Sequence, residues 1–150
     1  MNYDEISIIK QAIEHEYEGY EYYLAQSRKI NSDAVSDVFR DLAEEEILHV
    51  SWLEELLKFK YEGLSVNMLK FIDEISPPDI FDWGEIKNFR FEDLKEAFQH
   101  IMDLELEAVR FYDEAGKRAT DEPTQKLFKK LSEWELSHYQ MFKNKYDEIQ

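Results

Sequence analysis

Glu46 and His49 stand three residues apart, and the same pair recurs 89 residues later as Glu135 and His138. On a helix, residues three apart lie on one face, about one turn from each other. A carboxylate and an imidazole placed this way can grip one metal ion together. The same 89-residue offset carries Glu16 onto Glu105. Six oxygen and nitrogen donors therefore fall on one internal repeat without a gap. The chain has no cysteine, so thiolate catalysis, disulfides, iron–sulfur clusters and Cys-built zinc modules are excluded. Any metal must be held by carboxylates and imidazoles.

The elements that must position these donors are legible as four long amphipathic helices. Over 4 to 30, Ile6, Ile9, Ile13, Tyr20, Tyr23, Ser27 and Ile30 step by three or four, with Glu16 on the same seam. Asn31-Ser32-Asp33 offers a turn and an N-cap for a second helix over 32 to 61, ended by Gly63. Val35, Phe39, Leu42, Leu53 and Leu56 form its seam, continued by Glu46 and His49. In the run Glu44-Glu45-Glu46, only the third residue is expected to point inward. A third helix over about 91 to 119 carries Leu94, Phe98, Ile101, Ala108, Tyr112 and Ala115 together with Glu105. Asp121 caps a fourth helix over 121 to 149, whose seam of Leu127, Leu131, Phe142 and Tyr146 includes Glu135 and His138. Residues 62 to 90 contain Ser76-Pro77-Pro78-Asp79, which breaks a helix. Ile80, Phe81, Trp83, Phe89 and Phe91 make this stretch too apolar for a free linker. It reads as a packed crossover with a short helix over Val66 to Glu74.

The expected architecture is all-α: one four-helix bundle of two repeated hairpins joined by a long crossover, spanning 1–150. Aligned at the offset, residues 12 to 61 and 101 to 150 share eight identities, and all three donor pairs are among them. Each glutamate lies near the middle of its helix. Mid-helix residues of a bundle share one level whichever way the helices run, so the four carboxylates should converge. A long crossover lets the third helix begin at the end opposite to where the second stops. The hairpins are then related by a two-fold axis.

Four buried carboxylates without partners would cost several kcal/mol each. No Lys or Arg falls on the seams at their level. Two divalent cations would neutralise them, with the imidazoles as added ligands. Oxygen-rich ligation with one imidazole per ion suits iron, with manganese or zinc as alternatives. Tyr20, Tyr23 and Tyr112 lie on the ligand seams, where hydrogen bonding to the carboxylates competes with plain aromatic packing. Trp52 and Trp134 read as packing residues, and His15 and His100 as surface residues.

The formal net charge of −16 argues against nucleic acid and anionic membranes as partners. No stretch approaches the 18 or so apolar residues of a membrane span, and MNYDEISIIK lacks the features of a signal peptide. A cytoplasmic location is the expectation.

The two hairpins, through Glu16-Tyr-Glu-Gly-Tyr-Glu-Tyr-Tyr23, Glu46-x-x-His49, Glu105-Leu-Glu-Ala-Val-Arg-Phe-Tyr112 and Glu135-x-x-His138, resemble the rubrerythrin-like branch of the ferritin-like superfamily. That superfamily takes one Glu from each of two helices and Glu-x-x-His from the other two. The resemblance implies that Glu46 and Glu135 bridge or chelate, that Glu16 and Glu105 are terminal ligands, and that each His holds one metal. Typical rubrerythrins also carry a rubredoxin domain with four cysteines and a further Glu ligand one turn after the helix-three Glu. The latter position is Ala108 here, and its repeat mate is Gly19. The ligand set is thus symmetric, closer to a bacterioferritin-type centre, which speaks against a peroxidase cycle with a ligand swap. The expected function is a di-iron oxidoreductase reducing peroxide or O2, with electrons from a separate donor protein. The competing readings are an iron-binding protein without turnover and a bundle that metals merely stabilise. A homodimer is expected, with the aromatic crossover as a candidate surface.

Overall fold

In a computed structural model, which describes residues 4–63 and 67–149, the chain forms the expected all-α bundle. Helices α1 (Glu5–Lys29) and α2 (Asp33–Glu62) make the first hairpin. Helix α3 is a short segment, Met68–Asp73, and α4 (Lys95–Arg118) and α5 (Glu122–Glu148) make the second hairpin. Caps set the boundaries. Asp4 accepts hydrogen bonds from the N–H groups of Ile6 and Ser7, Ser32 from Val35, and Asp121 from Thr124. Gly63 closes α2 in the left-handed region at φ 68°, where a side chain would be strained. The third long helix begins later than its periodicity suggests, because Phe91–Leu94 winds as a 3-10 turn before α4. Val66, where the short crossover helix was expected to begin, lies outside the described residues. Among the described residues, no helix is long and apolar enough to cross a membrane.

Two apolar clusters fill the bundle, one at each end. One joins the start of α1 (Ile9, Ala12) to the end of α2 (Leu53, Leu56), the end of α4 (Ala115) and the start of α5 (Leu127, Phe128). The other joins Tyr23 of α1 to Val35 and Phe39 of α2, Phe98 of α4 and Phe142 of α5. Each helix therefore runs antiparallel to its hairpin mate, and α1 runs antiparallel to α4. The crossover consequently travels the length of the bundle. Met68 and Ile72 of α3 pack into the first cluster, and Trp83 and Phe91 pack into the second. Trp83 sits 5.2 Å from Phe98 and 5.6 Å from Phe142, ring centre to ring centre. Burying side chains of this kind contributes about 1.5–3 kcal/mol each. That burial explains why a stretch broken by two prolines stays on the bundle. Lys60 ties the first end together by pairing with Glu5 of α1 and Asp121 at the turn before α5. The level between the two clusters is left to polar residues.

Candidate metal centre

Glu16, Glu46, Glu105, Glu135, His49 and His138 are all buried, none more than 4% exposed. They form two groups that share one member. Donor atoms of Glu16, Glu46, His49 and Glu135 lie within 4.8 Å of one another, and so do those of Glu105, Glu135 and His138. Glu135 belongs to both groups, while Glu46 belongs to the His49 group alone. Nδ1 of His49 is 3.2 Å from a Glu16 oxygen and 3.0 Å from Oε1 of Glu135. The helices bring these residues together because each Glu sits mid-helix, on the face that the apolar seam turns inward.

The tyrosines follow the repeat. Tyr23 of α1 donates to Glu105 of α4. Tyr112 of α4 donates to Glu16 of α1 at 2.6 Å. Each bond is the image of the other under the 89-residue offset, as a two-fold relation between hairpins requires. Tyr20 instead packs, partly buried, against the second apolar cluster. Trp52 and Trp134 pack their rings on His49. His100 is exposed against Tyr22. His15 is only partly exposed and lies beside the centre rather than on an open surface.

A further expectation fails. Glu45 does not point away: its Oε2 lies 2.7 Å from Nε2 of buried His138. The sequence did hold a signal for this. Val38, Leu42, Glu45, His49, Trp52 and Leu56 step by four and three, which is a second seam beside the one through Glu46.

Gly19 and Ala108 hold the repeat positions nearest the carboxylates. A Cβ on Gly19 would come within 3.0 Å of a Glu46 carboxylate oxygen, so the missing side chain lets Glu46 lie against α1. Beside them is a small cavity of about 20 Å³, lined by His15, Glu18, Gly19, Tyr23, Glu46, Glu105, Ala108 and Glu135 among others. It holds roughly one water-sized molecule.

The electrostatics are those of carboxyls crowded together away from water. Burial, then the like charges of Glu16 and Glu135, push the Glu46 carboxyl well above the usual range. Burial and then Glu135 do the same to Glu105. Burial and Glu16 raise Glu135 to about 8. Glu16 goes the other way, to about 2. Burial is the largest single influence on it and pushes it up, but the charge of His49 and hydrogen bonds from Glu46, His49 and Tyr112 together outweigh burial. Tyr23 and Tyr112 are held protonated by burial and by the neighbouring carboxylates.

The donor set fits a pair of metal ions on its own terms. Oε2 of Glu105, Oε1 of Glu135, Nε2 of His49 and both ring nitrogens of His138 are buried without a hydrogen-bond partner. Oε1 of Glu135 is close to His49 yet not aligned for a hydrogen bond, as expected of atoms that converge on a common point. Stranded buried donors of this kind are costly, and a cation satisfies them.

A proton count follows. Burial and mutual repulsion favour protons on Glu46, Glu105 and Glu135 in the metal-free protein. Metal must displace them. Calorimetric titration with a divalent metal, in two buffers of different ionisation enthalpy, should show net proton release, and affinity should rise between pH 6 and pH 8. Binding without proton release would show that these carboxyls are already ionised.

Comparison with known proteins agrees with this geometry. The Rubrerythrin family model matches residues 7–146. Among solved structures, the chain is similar to a hypothetical protein from Pyrococcus furiosus, with 21% identity and a TM-score of 0.72, over 98% of this chain and 90% of that one. At that identity the likeness speaks for the fold alone. No match was found among curated proteins.

Proposed function

The chain belongs to the rubrerythrin family, and from that premise we propose that it is a non-haem di-iron oxidoreductase that reduces hydrogen peroxide or O2. The observation that carries this reading is the double donor group hinged on Glu135, with a cavity only about 20 Å³ in volume at its edge. Glu16, Glu46, His49 and Glu135 would hold one ion, and Glu105, Glu135 and His138 the other. Two ferrous ions held there would supply two electrons, enough with two protons to take one peroxide to two waters or one O2 to one peroxide.

The remaining work belongs to the protein's own side chains. Gly19 and Ala108 leave a small space beside the carboxylates. A longer side chain at Ala108 would fill that space. Tyr23 and Tyr112 hold Glu105 and Glu16 in place from the opposite helix. The apolar clusters above and below keep bulk water out. Electrons for repeated turnover come, in this reading, from a separate donor protein.

Stopped-flow mixing of the ferrous protein with hydrogen peroxide or O2 tests the proposal. Oxidation well above the rate of free ferrous ion at equal concentration is expected. A rate no greater than that of free iron would move the reading to an iron-binding protein without turnover.

A further inference from the structure

The two halves of the centre share one repeat frame but not the same surroundings. His49 lies 5.1 Å from the ring of Trp52, on its own helix, and 5.3 Å from that of Trp134, on α5. The 89-residue offset replaces Trp52 with Met141 and pairs Trp134 with Glu45. Where His49 meets an indole from the facing helix, His138 therefore meets a carboxylate, with Oε2 of Glu45 2.7 Å from Nε2. Both atoms are buried and the approach is close without being aligned as a hydrogen bond, although the Glu45 side chain as a whole keeps 18% of its surface exposed.

On His49, Nδ1 faces Glu16 and Glu135, and Nε2 is left without a polar partner. An indole cannot help, because its N–H only donates. On His138, the Glu45 carboxylate stands beside Nε2, while Nδ1 has no hydrogen-bond partner. A carboxylate at the far nitrogen of a ligating imidazole fixes the tautomer, holds the ring plane and makes the ligating nitrogen more basic.

We propose that Glu45 is a positioning residue for His138 and that it makes the two metal positions inequivalent. The position at Glu105, Glu135 and His138 holds its ion through an imidazole backed by a carboxylate. The position at Glu16, Glu46 and His49 holds its ion through an imidazole backed by indoles. This inference rests on the two-metal reading above.

The test is a calorimetric titration of the metal-free full chain with cobalt(II), followed also by visible absorption. The wild type should bind two ions. Glu45→Ala should leave one event at wild-type affinity and weaken the other about 10- to 100-fold. Glu45→Gln keeps an acceptor oxygen near Nε2 and should recover part of the loss. Glu44→Gln removes a charge from the same surface groove, which Asp41, Glu45 and Asp79 also line, and should change neither event. Glu45→Ala added to His138→Ala should cost nothing further, since Glu45 acts through His138. If the wild type binds two ions and Glu45→Ala weakens both events equally or neither, the inference about Glu45 is overturned while the two-metal reading stands. If the wild type itself binds fewer than two, both fall.

Discussion

Glu135→Ala is expected to empty both metal positions, whereas Glu105→Ala empties one. Glu135 is the residue common to the two donor groups, so its removal takes an oxygen from each ion at once. It also leaves His49 without one of the two carboxylates that face its Nδ1. Glu105 stands in one group, held by Tyr23, and its loss leaves the His49 group intact. Metal analysis after loading and desalting should therefore give two ions per chain for the wild type, about one for Glu105→Ala and close to none for Glu135→Ala. The bundle should survive the substitution. Glu135 is a buried carboxyl raised by burial and by Glu16, and alanine relieves that repulsion in the metal-free state. A Glu135→Ala protein that keeps two ions would remove the shared carboxylate from the site.

The second large effect is on stability. Removing metal with a chelator should lower the melting temperature by about 10–20 °C. An ion present at 100 times its dissociation constant stabilises the folded chain by about 2.7 kcal/mol, so two contribute about 5 kcal/mol. In a chain of this size 1 kcal/mol moves the melting temperature by about 2–4 °C. The gap should widen with pH, and the sign follows from the raised carboxyls. Glu46, Glu105 and Glu135 favour the folded metal-free state most below the ordinary carboxylate range, and that contribution fades as pH rises through their folded values, about 8 for Glu135. Glu16 acts in another window: its contribution is present above the ordinary range and is lost as pH falls towards 2. Between pH 5 and pH 8 the metal-free protein should therefore lose stability while the loaded protein gains affinity for its ions. Thermal melts with and without metal at the two pH values would show this. A gap that narrows with pH would contradict the assignment of the buried protons.

Most of this was legible in the chain because helix periodicity and the repeat both point to the same residues. Glu16, Glu46, Glu105 and Glu135 stand on apolar seams at mid-helix, so burial and convergence follow from geometry alone. The antiparallel arrangement of α1 and α4 follows from a crossover long enough to travel the bundle. What periodicity on one seam could not show is how a residue at the seam's edge reaches across. Glu45 is one such residue, since it meets a histidine of α5, a different helix. The same holds for the reciprocal bonds of Tyr23 and Tyr112. Their seam positions fit packing equally well, and the choice between a ring contact and a hydrogen bond depends on the distance between α1 and α4. The unequal sharing of Glu135 and Glu46 was likewise hidden, because a repeat predicts symmetry and the side chains depart from it.

The most direct test of the two-metal centre is a crystal structure of the iron-loaded protein with data collected on both sides of the iron absorption edge. The expected result is two anomalous peaks inside the bundle, one among Glu16, Glu46, His49 and Glu135 and the other among Glu105, Glu135 and His138, with Glu135 touching both. A single peak, or peaks confined to exposed carboxylates outside the bundle, would contradict it.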